Sequence, residues 1–300
     1  MSLTIEVPAT SANLGPGYDS FGIALGLCDT LTVTIHDDEV DPADCVSVTG
    51  ESAESLPRDR SHLVMRVLCD VLAAEYGAAV TGLAERLRLE CVNRIPHSRG
   101  LGSSAAAVVA GVALAGAVAE HCGAAGLPRE RVLELATDLE GHPDNAAPAI
   151  FGGLTIALSA PARAWRIPVH TVTDVTVIVP ESRLDTAIAR SLMPASVEHE
   201  IAAENSARTG LLVHGFTSDA AVLMDATADL LHQEFRREAY PESMDLVDRL
   251  RAAGHPAVIS GAGPTVLVLS DSVDPSFAPA STSLIRTSVD LAGYRIARSR

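Results

Sequence analysis

The sequence predicts an α+β protein in two parts, and three observations lead there. Short runs of alternating apolar and polar residues are interspersed with runs at helical spacing, without the strict strand–helix alternation of a doubly wound sheet. Hydrophobic residues make up 47% of 300, enough for a substantial core, and aromatics only 3%, so the core is Ala, Val and Leu. The chain also changes character near Pro161–Pro168, giving expected units of 1–162 and 163–300, each of ordinary domain size.

Leu3–Ala9 alternates as a strand, and TSANLGPGYD (Thr10–Asp19) follows as a Gly/Pro loop. Leu27–His36 is rich in β-formers, and an acidic turn occupies Asp37–Asp44. Leu63, Val67, Leu68 and Leu72 give Ser61–Tyr76 helical spacing. LRLECVN (Leu87–Asn93) alternates like a half-buried strand, and Ala105–Ala119 reads as a buried helix. Pro128 opens a helix to about Leu139, since Pro suits the first helical turn. Gly141–Ala149 is a turn with a short helical segment, and Gly152–Ser159 is a strand. The second part begins with a strand at Val172–Val179, followed by helical patterns at Ala202–Phe216, Asp219–Leu231 and Ser243–Ala253. Strands Ala257–Ser260 and Thr265–Ser270 flank the turn Gly261–Pro264. A helix over Ser281–Asp290 and a strand over Tyr294–Ala297 are expected last.

The formal net charge of −16 argues against nucleic acid or an anionic membrane as the main partner. All 22 basic Lys-or-Arg residues are Arg. Without Lys there is no Walker-type P-loop, no Schiff base and no pyridoxal phosphate anchor. Any phosphate must be met by Arg, backbone N–H groups or a metal ion. The five Cys are scattered without CxxC spacing and read as free thiols in a reducing compartment. The first residues show no signal-peptide pattern, and no uncharged apolar run reads as a membrane span, so a cytoplasmic location is expected.

Five constellations carry chemistry. The foremost is PHSRGLGSSAAA (Pro96–Ala107), a Gly-rich turn opening the buried helix, with Ser103 and Ser104 at the expected N-cap. Such a turn bares backbone N–H groups at the positive end of a helix dipole and is a ready-made phosphate site. An ordinary capped turn is the competing reading, weakened by the small residues that let the loop approach closely. The second is NLGPGYD, with Asn13 and Asp19, which also fits a plain turn. The third is Glu134 followed by His142-Pro143-Asp144-Asn145; a carboxylate near a phosphate loop suits Mg2+, Glu134 being the candidate and Glu140 its rival. The fourth joins Thr186 and Arg190 with HQEFRR (His232–Arg237), where Arg could clamp a carboxylate or simply be a surface charge. The fifth is SGAGPT (Ser260–Thr265), a structural turn or one shaped for close ligand approach.

In this order and spacing, VPATSANLGPGYDS, IPHSRGLGSSAAA and SGAGPT resemble the three motifs of the GHMP kinases, a superfamily of small-molecule kinases. Within it, TSANLGPGYDSFGIAL, EGHPDNAAPAIFGG, TAIARSLMP and LLHQEFR are similar to the homoserine kinases, from about residue 3 to the end. The resemblance implies a ribosomal protein S5 domain 2-like N-terminal domain with a left-handed crossover, then a ferredoxin-like C-terminal domain. It implies ATP bound over Pro96, Arg99, Gly100, Leu101, Gly102, Ser103 and Ser104, with His62 near the adenine, and Mg2+ on Ser104 (Ser103 as alternative) and Glu134. Asn13, Asp19, His142, Asn145, Thr186, Arg190, Arg236 and Gly261 match substrate-side positions. The implied reaction phosphorylates L-homoserine to O-phospho-L-homoserine in threonine biosynthesis. Asp19 would hold the ammonium, Arg190 and Arg236 the carboxylate, and Asn145 the hydroxyl. Some relatives carry an Asp base where Asn145 stands, and Asp144 lies beside it. Asn cannot take a proton, so rate is expected from in-line positioning and charge neutralisation. Many relatives have Phe at Tyr18 and Asn at His62, and are often homodimers. A mevalonate- or shikimate-type kinase, or a non-catalytic regulator of the same fold, are the alternatives.

Overall fold

The computed structural model describes residues 1–80, 82–184 and 186–299, without the side chains of 78, 79, 186, 187 and 299. The chain opens with strands β1 (Ser2–Ala12), β2 (Phe21–Ile35) and β3 (Val46–Gly50), then helix α1 (Leu63–Val71) and strand β4 (Leu87–Asn93). Helices α2 (Ser103–His121), α3 (Arg129–Glu140) and α4 (Ala146–Phe151) precede the hairpin of β5 (Leu154–Ser159) and β6 (Ala162–Ile167). There follow β7 (Asp174–Pro180), α5 (Thr186–Ser191), α6 (His199–Thr217), α7 (Leu223–Ala226) and α8 (Pro241–Ala252). The chain closes with β8 (Ala257–Ile259), β9 (Val266–Val268), β10 (Thr282–Ser288) and β11 (Arg295–Ser299).

Two sheets result. The first runs β11-β1-β2-β4-β3, with β5 also on β2 and β6 on β5; the second runs β10-β7-β9-β8. Among the described residues, only β3 and β4 pair in parallel, joined across α1. Leu3, Ile5 and Val7 of β1 point into the core, while Ser2 and Thr4 pair across with Thr34 and Thr32. The core helix is α2. Small residues let its neighbours approach closely: a Cβ at Gly111 would meet the Val67 side chain of α1 at 2.8 Å. Its length and apolarity would suit a membrane span, but 78% of its apolar window is buried within the protein. The α+β expectation therefore holds. The expected division at 162/163 falls in the β5–β6 hairpin, and β11 returns to β1, so the first sheet draws strands from both sides of it.

Three local expectations are corrected. Ser281–Asp290 is not a helix but β10, paired along its length with β7; the β-branched residues at 282, 285 and 287 suit a pleated edge strand. Asp219–Leu231 is helical only in short pieces, because Asp229 caps the next turn, accepting from the N–H groups of Leu231 (3.0 Å), His232 (2.9 Å) and Gln233 (2.6 Å). Ser103 and Ser104 are not caps. The N-cap is Gly102 in the left-handed region, and the serines are the first two helical residues.

Arg129, the first residue of α3, fastens the end of the chain. Its guanidinium donates to the carbonyls of Ile150 (2.5 Å), Ala292 (3.1 Å) and Tyr294 (2.9 Å) and lies 4.7 Å over the Tyr294 ring. Arg129→Met keeps the stem but strands these carbonyls, and is expected to cost about 1–3 kcal/mol, read as a lower urea midpoint with unchanged slope.

Candidate active site

The loop between β4 and α2 turns on Gly100 (φ +77°) and Gly102 (φ +67°), values that favour glycine. Space demands glycine too. A Cβ at Gly100 would lie 2.2 Å from the Ser260 carbonyl oxygen, and one at Gly102 would lie 2.0 Å from Thr10 Oγ1 and 3.0 Å from Asn145 Oδ1. The loop is tied on every side. Thr10 N–H donates to the Leu101 carbonyl (3.1 Å), Ser260 Oγ to that of Gly100 (2.6 Å) and Leu184 N–H to that of Ser98 (3.1 Å). Arg99 reaches the carbonyls of Pro180 (2.8 Å) and Glu181 (3.1 Å). The glycine N-cap offers no side-chain acceptor, so the first-turn N–H groups of α2 stay available to an anion in front of them.

That helix end faces a cleft of about 590 Å³. In a chain of net charge −16, four arginines (Arg99, Arg183, Arg190, Arg236) line it against three carboxylates (Asp19, Glu140, Asp144). With the helix dipole added, the cleft is locally cationic and suited to anionic ligands.

After Gly141 ends α3 in the left-handed region, the HPDN segment forms one wall. Asp144 is buried, and its Oδ1 accepts from His142 Nδ1 (2.7 Å) and from the Asn145 N–H (2.9 Å). That hydrogen bond holds the His142 imidazole above its usual pKa, against the opposing effect of burial. Asn145 accepts from Thr10 Oγ1 (2.9 Å), beside the glycine loop. The loop after β1 also lines the cleft. Buried Asn13 donates through Nδ2 to the Gly261 carbonyl (2.8 Å) and accepts the Asp19 N–H (2.9 Å), which fixes Asp19 at φ +54°. Asp19 and Arg190 of α5 form a bidentate pair at 3.0 and 2.9 Å. Arg236 is only 2% exposed. Its described partners are all neutral: the Ala189 carbonyl (3.0 Å), His232 Nδ1 (3.3 Å) and Tyr18 Oη (3.4 Å).

The cleft thus gathers Asn13, Asp19, Arg99, Gly100, Leu101, Gly102, Ser103, Ser104, His142, Asp144, Asn145, Arg190, Arg236 and Gly261, from all five constellations, into one place. It does not gather all. Pro96 is buried behind the loop. His62 is buried at the start of α1, its Nδ1 without a partner among the described residues and its pKa lowered by burial, outside the cleft lining. The Thr186 side chain lies outside the described residues. Glu134, the expected metal carboxylate, turns instead to Arg131 at 2.7 Å, which also holds Glu75. Its rival Glu140, at the C-terminal end of α3, is the carboxylate that meets the loop, accepting from Ser104 Oγ at 2.7 Å. Arg183 and Leu184 also line the cleft, from the loop after β7; no motif in the sequence pointed to them.

The models of the GHMP kinases N terminal domain and the GHMP kinases C terminal domain match residues 62–153 and 211–278. The homoserine kinase of Streptomyces avermitilis is 47% identical over 276 residues, covering 90% of this chain and 86% of that one. Among solved structures, a putative homoserine kinase from Listeria monocytogenes is 28% identical with a TM-score of 0.72, covering 99% of this chain and 100% of that one. The homoserine kinase from Cytophaga hutchinsonii shares the fold with a TM-score of 0.80 at 23% identity, over 99% of this chain and 97% of that one.

The His142–Asp144 contact sets a pH dependence. Folding raises the imidazole pKa, so its contribution to stability is complete below the unfolded value near 6.5 and is lost as pH rises through the folded value. The His142 ring resonance is expected to titrate above 6.5, and Asp144→Asn to bring the midpoint down; an unchanged midpoint in the variant contradicts the assignment.

Proposed function

The chain belongs to the homoserine kinases, a branch of the GHMP kinases, and we propose that it transfers the γ-phosphoryl group of ATP to the side-chain hydroxyl of L-homoserine. The observation that carries the substrate reading is Arg236. A guanidinium this buried among neutral partners is costly unless an anion completes it, and it opens on the same cleft as the phosphate loop. Asp19 and Arg190 supply opposite charges beside it, which suits an amino acid carrying both. Mevalonate, with no ammonium for Asp19, fits less well.

In this reading the triphosphate lies on the Gly100–Ser104 loop, its charge met by the first turn of α2 and by the cleft arginines. Asp19 takes the substrate ammonium, Arg190 and Arg236 its carboxylate, and Asn145 orients the hydroxyl next to the loop. The Ser104 hydroxyl and Glu140 carboxylate suit Mg2+, which takes few protein oxygens and keeps phosphate oxygens and waters. Bound there, Mg2+ would supply charge neutralisation of the phosphates. Rate comes from in-line positioning of hydroxyl and phosphate in a charged, preorganised cleft, since Asn145 has no basic site. The burial of α2 supports a globular enzyme, and we place its work in the cytoplasm.

A coupled ADP-release assay with MgATP and L-homoserine, D-homoserine, L-serine, L-threonine, mevalonate and shikimate tests the reading. Turnover is expected well above the others for L-homoserine; a preference for mevalonate or shikimate overturns the substrate assignment. Arg236→Met is expected to raise the KM for L-homoserine roughly 10- to 100-fold, the ~1.5–3 kcal/mol of a charged hydrogen-bonded pair, with the KM for ATP unchanged. Glu140→Gln should raise the Mg2+ concentration needed for half-maximal rate and Glu134→Gln should not; the reverse result returns the metal role to Glu134.

A further inference from the structure

His232 is completely buried and belongs to none of the roles above. Its Nε2 lies 2.9 Å from the Gly15 carbonyl oxygen, which can only accept, so Nε2 carries a hydrogen. Its Nδ1 faces Nη1 of Arg236 at 3.3 Å, and a guanidinium can only donate. The two contacts together require the neutral Nε2–H tautomer. Burial favours the neutral ring, and Arg236 works in the same direction against Asp229. A cationic ring would set N–H against N–H and charge against charge.

We propose that His232 is a positioning residue, presenting Nδ1 to Arg236 so that the guanidinium is aimed at the carboxylate of the substrate. The proposal rests on the reading of Arg236 as the carboxylate clamp. The surroundings of the ring are built to hold it still. Asp229 caps the backbone on which it sits, and Gln233 beside it accepts the Ile259 N–H at 2.6 Å. Tyr18 stacks on the imidazole with centroids 5.2 Å apart and 25° between planes, and its hydroxyl accepts from Nη2 of Arg236. Gly15, the acceptor at the far side, passes so close to Thr227 that a Cβ would meet its carbonyl oxygen at 2.5 Å. Of the five guanidinium N–H groups, those to Ala189, His232 and Tyr18 are used among the described residues. Tyr240 also lies beside the guanidinium, and the N–H groups remaining on its terminal nitrogens can be offered to a carboxylate. The Ala189 carbonyl belongs to α5, next to Arg190, so the His232–Arg236 contact also aligns the second arginine.

Two variants separate positioning from packing. Asn at 232 returns an acceptor near the place of Nδ1; Gln reaches only the Nε2 end. His232→Asn is expected to keep the KM for L-homoserine within about threefold of the parent, and His232→Gln to raise it about tenfold or more, kcat and the KM for ATP staying within about threefold in both. Equal KM values for L-homoserine in the two folded variants overturn the proposal, because a packing role does not distinguish the ends of the ring. A second measurement needs no variant and no substrate: nitrogen-15 correlation spectra of the parent should show His232 as the neutral Nε2–H form at pH 7. A cationic ring or the Nδ1–H form overturns the proposal even if the variants fail to fold. Absence of L-homoserine turnover by the parent would instead sink the substrate reading, leaving the tautomer result to stand by itself.

Discussion

Everything at the cleft depends on how closely two loops approach the turn between β4 and α2. Gly100 lies against the carbonyl of Ser260, and Gly102 against Thr10 and Asn145. No side chain larger than hydrogen fits at either place, so the turn is clamped between the first strand, the HPDN segment and the Gly-rich turn of the second sheet. The clamp serves two ends. It fixes the uncapped end of α2 so that its N–H groups need no reorganisation when an anion arrives. It also brings the segments bearing Asp19, His142 and Asn145 to the same cleft.

The charge distribution follows from the same geometry. The chain is strongly acidic, yet four of its arginines converge on one cleft. Arginine differs from lysine here in being able to spend some donors on the protein and keep others for a ligand. Arg99 spends its donors on the carbonyls of Pro180 and Glu181, anchoring the loop to the second sheet. Arg236 spends donors on Ala189, His232 and Tyr18 while lining the cleft. Arg190 pairs with Asp19, so neither charge is left bare.

The glycine turn, the long buried helix and the α+β class were legible in the sequence because they are local: glycine spacing, alternation and an unbroken Ala/Val/Leu stretch state them outright. What failed depended on distant partners. The segment 282–288 reads equally well as a helix until β7 offers it an edge. Glu134 and Glu140 lie on one helix, and only the packing of α3 decides which carboxylate meets Ser104; Arg131 takes the other. The serines after the glycines look like caps because capping chemistry is local, whereas Gly102 in its left-handed geometry packs directly on Thr10 and Asn145, distant in sequence. Arg183 carries no spacing signal, for it reaches the site only through the path of its loop.

The ends of the chain meet. Residues Ser2–Glu6 of β1 pair with Arg295–Ser299 of β11, and β1 is the strand whose continuation supplies Thr10 and Asn13 to the cleft. During synthesis the first strand therefore emerges with one edge bare, and its partner β11 is made only after the other ten strands. The loop that must close to cover that edge is nearly the whole chain, the least local contact the topology allows. Until then β1 offers an unpaired row of backbone groups, the usual template for wrong pairing. The first half of this protein is thus a poor candidate for independent production, and loss of Arg295–Ser299 would expose the same edge in the finished molecule.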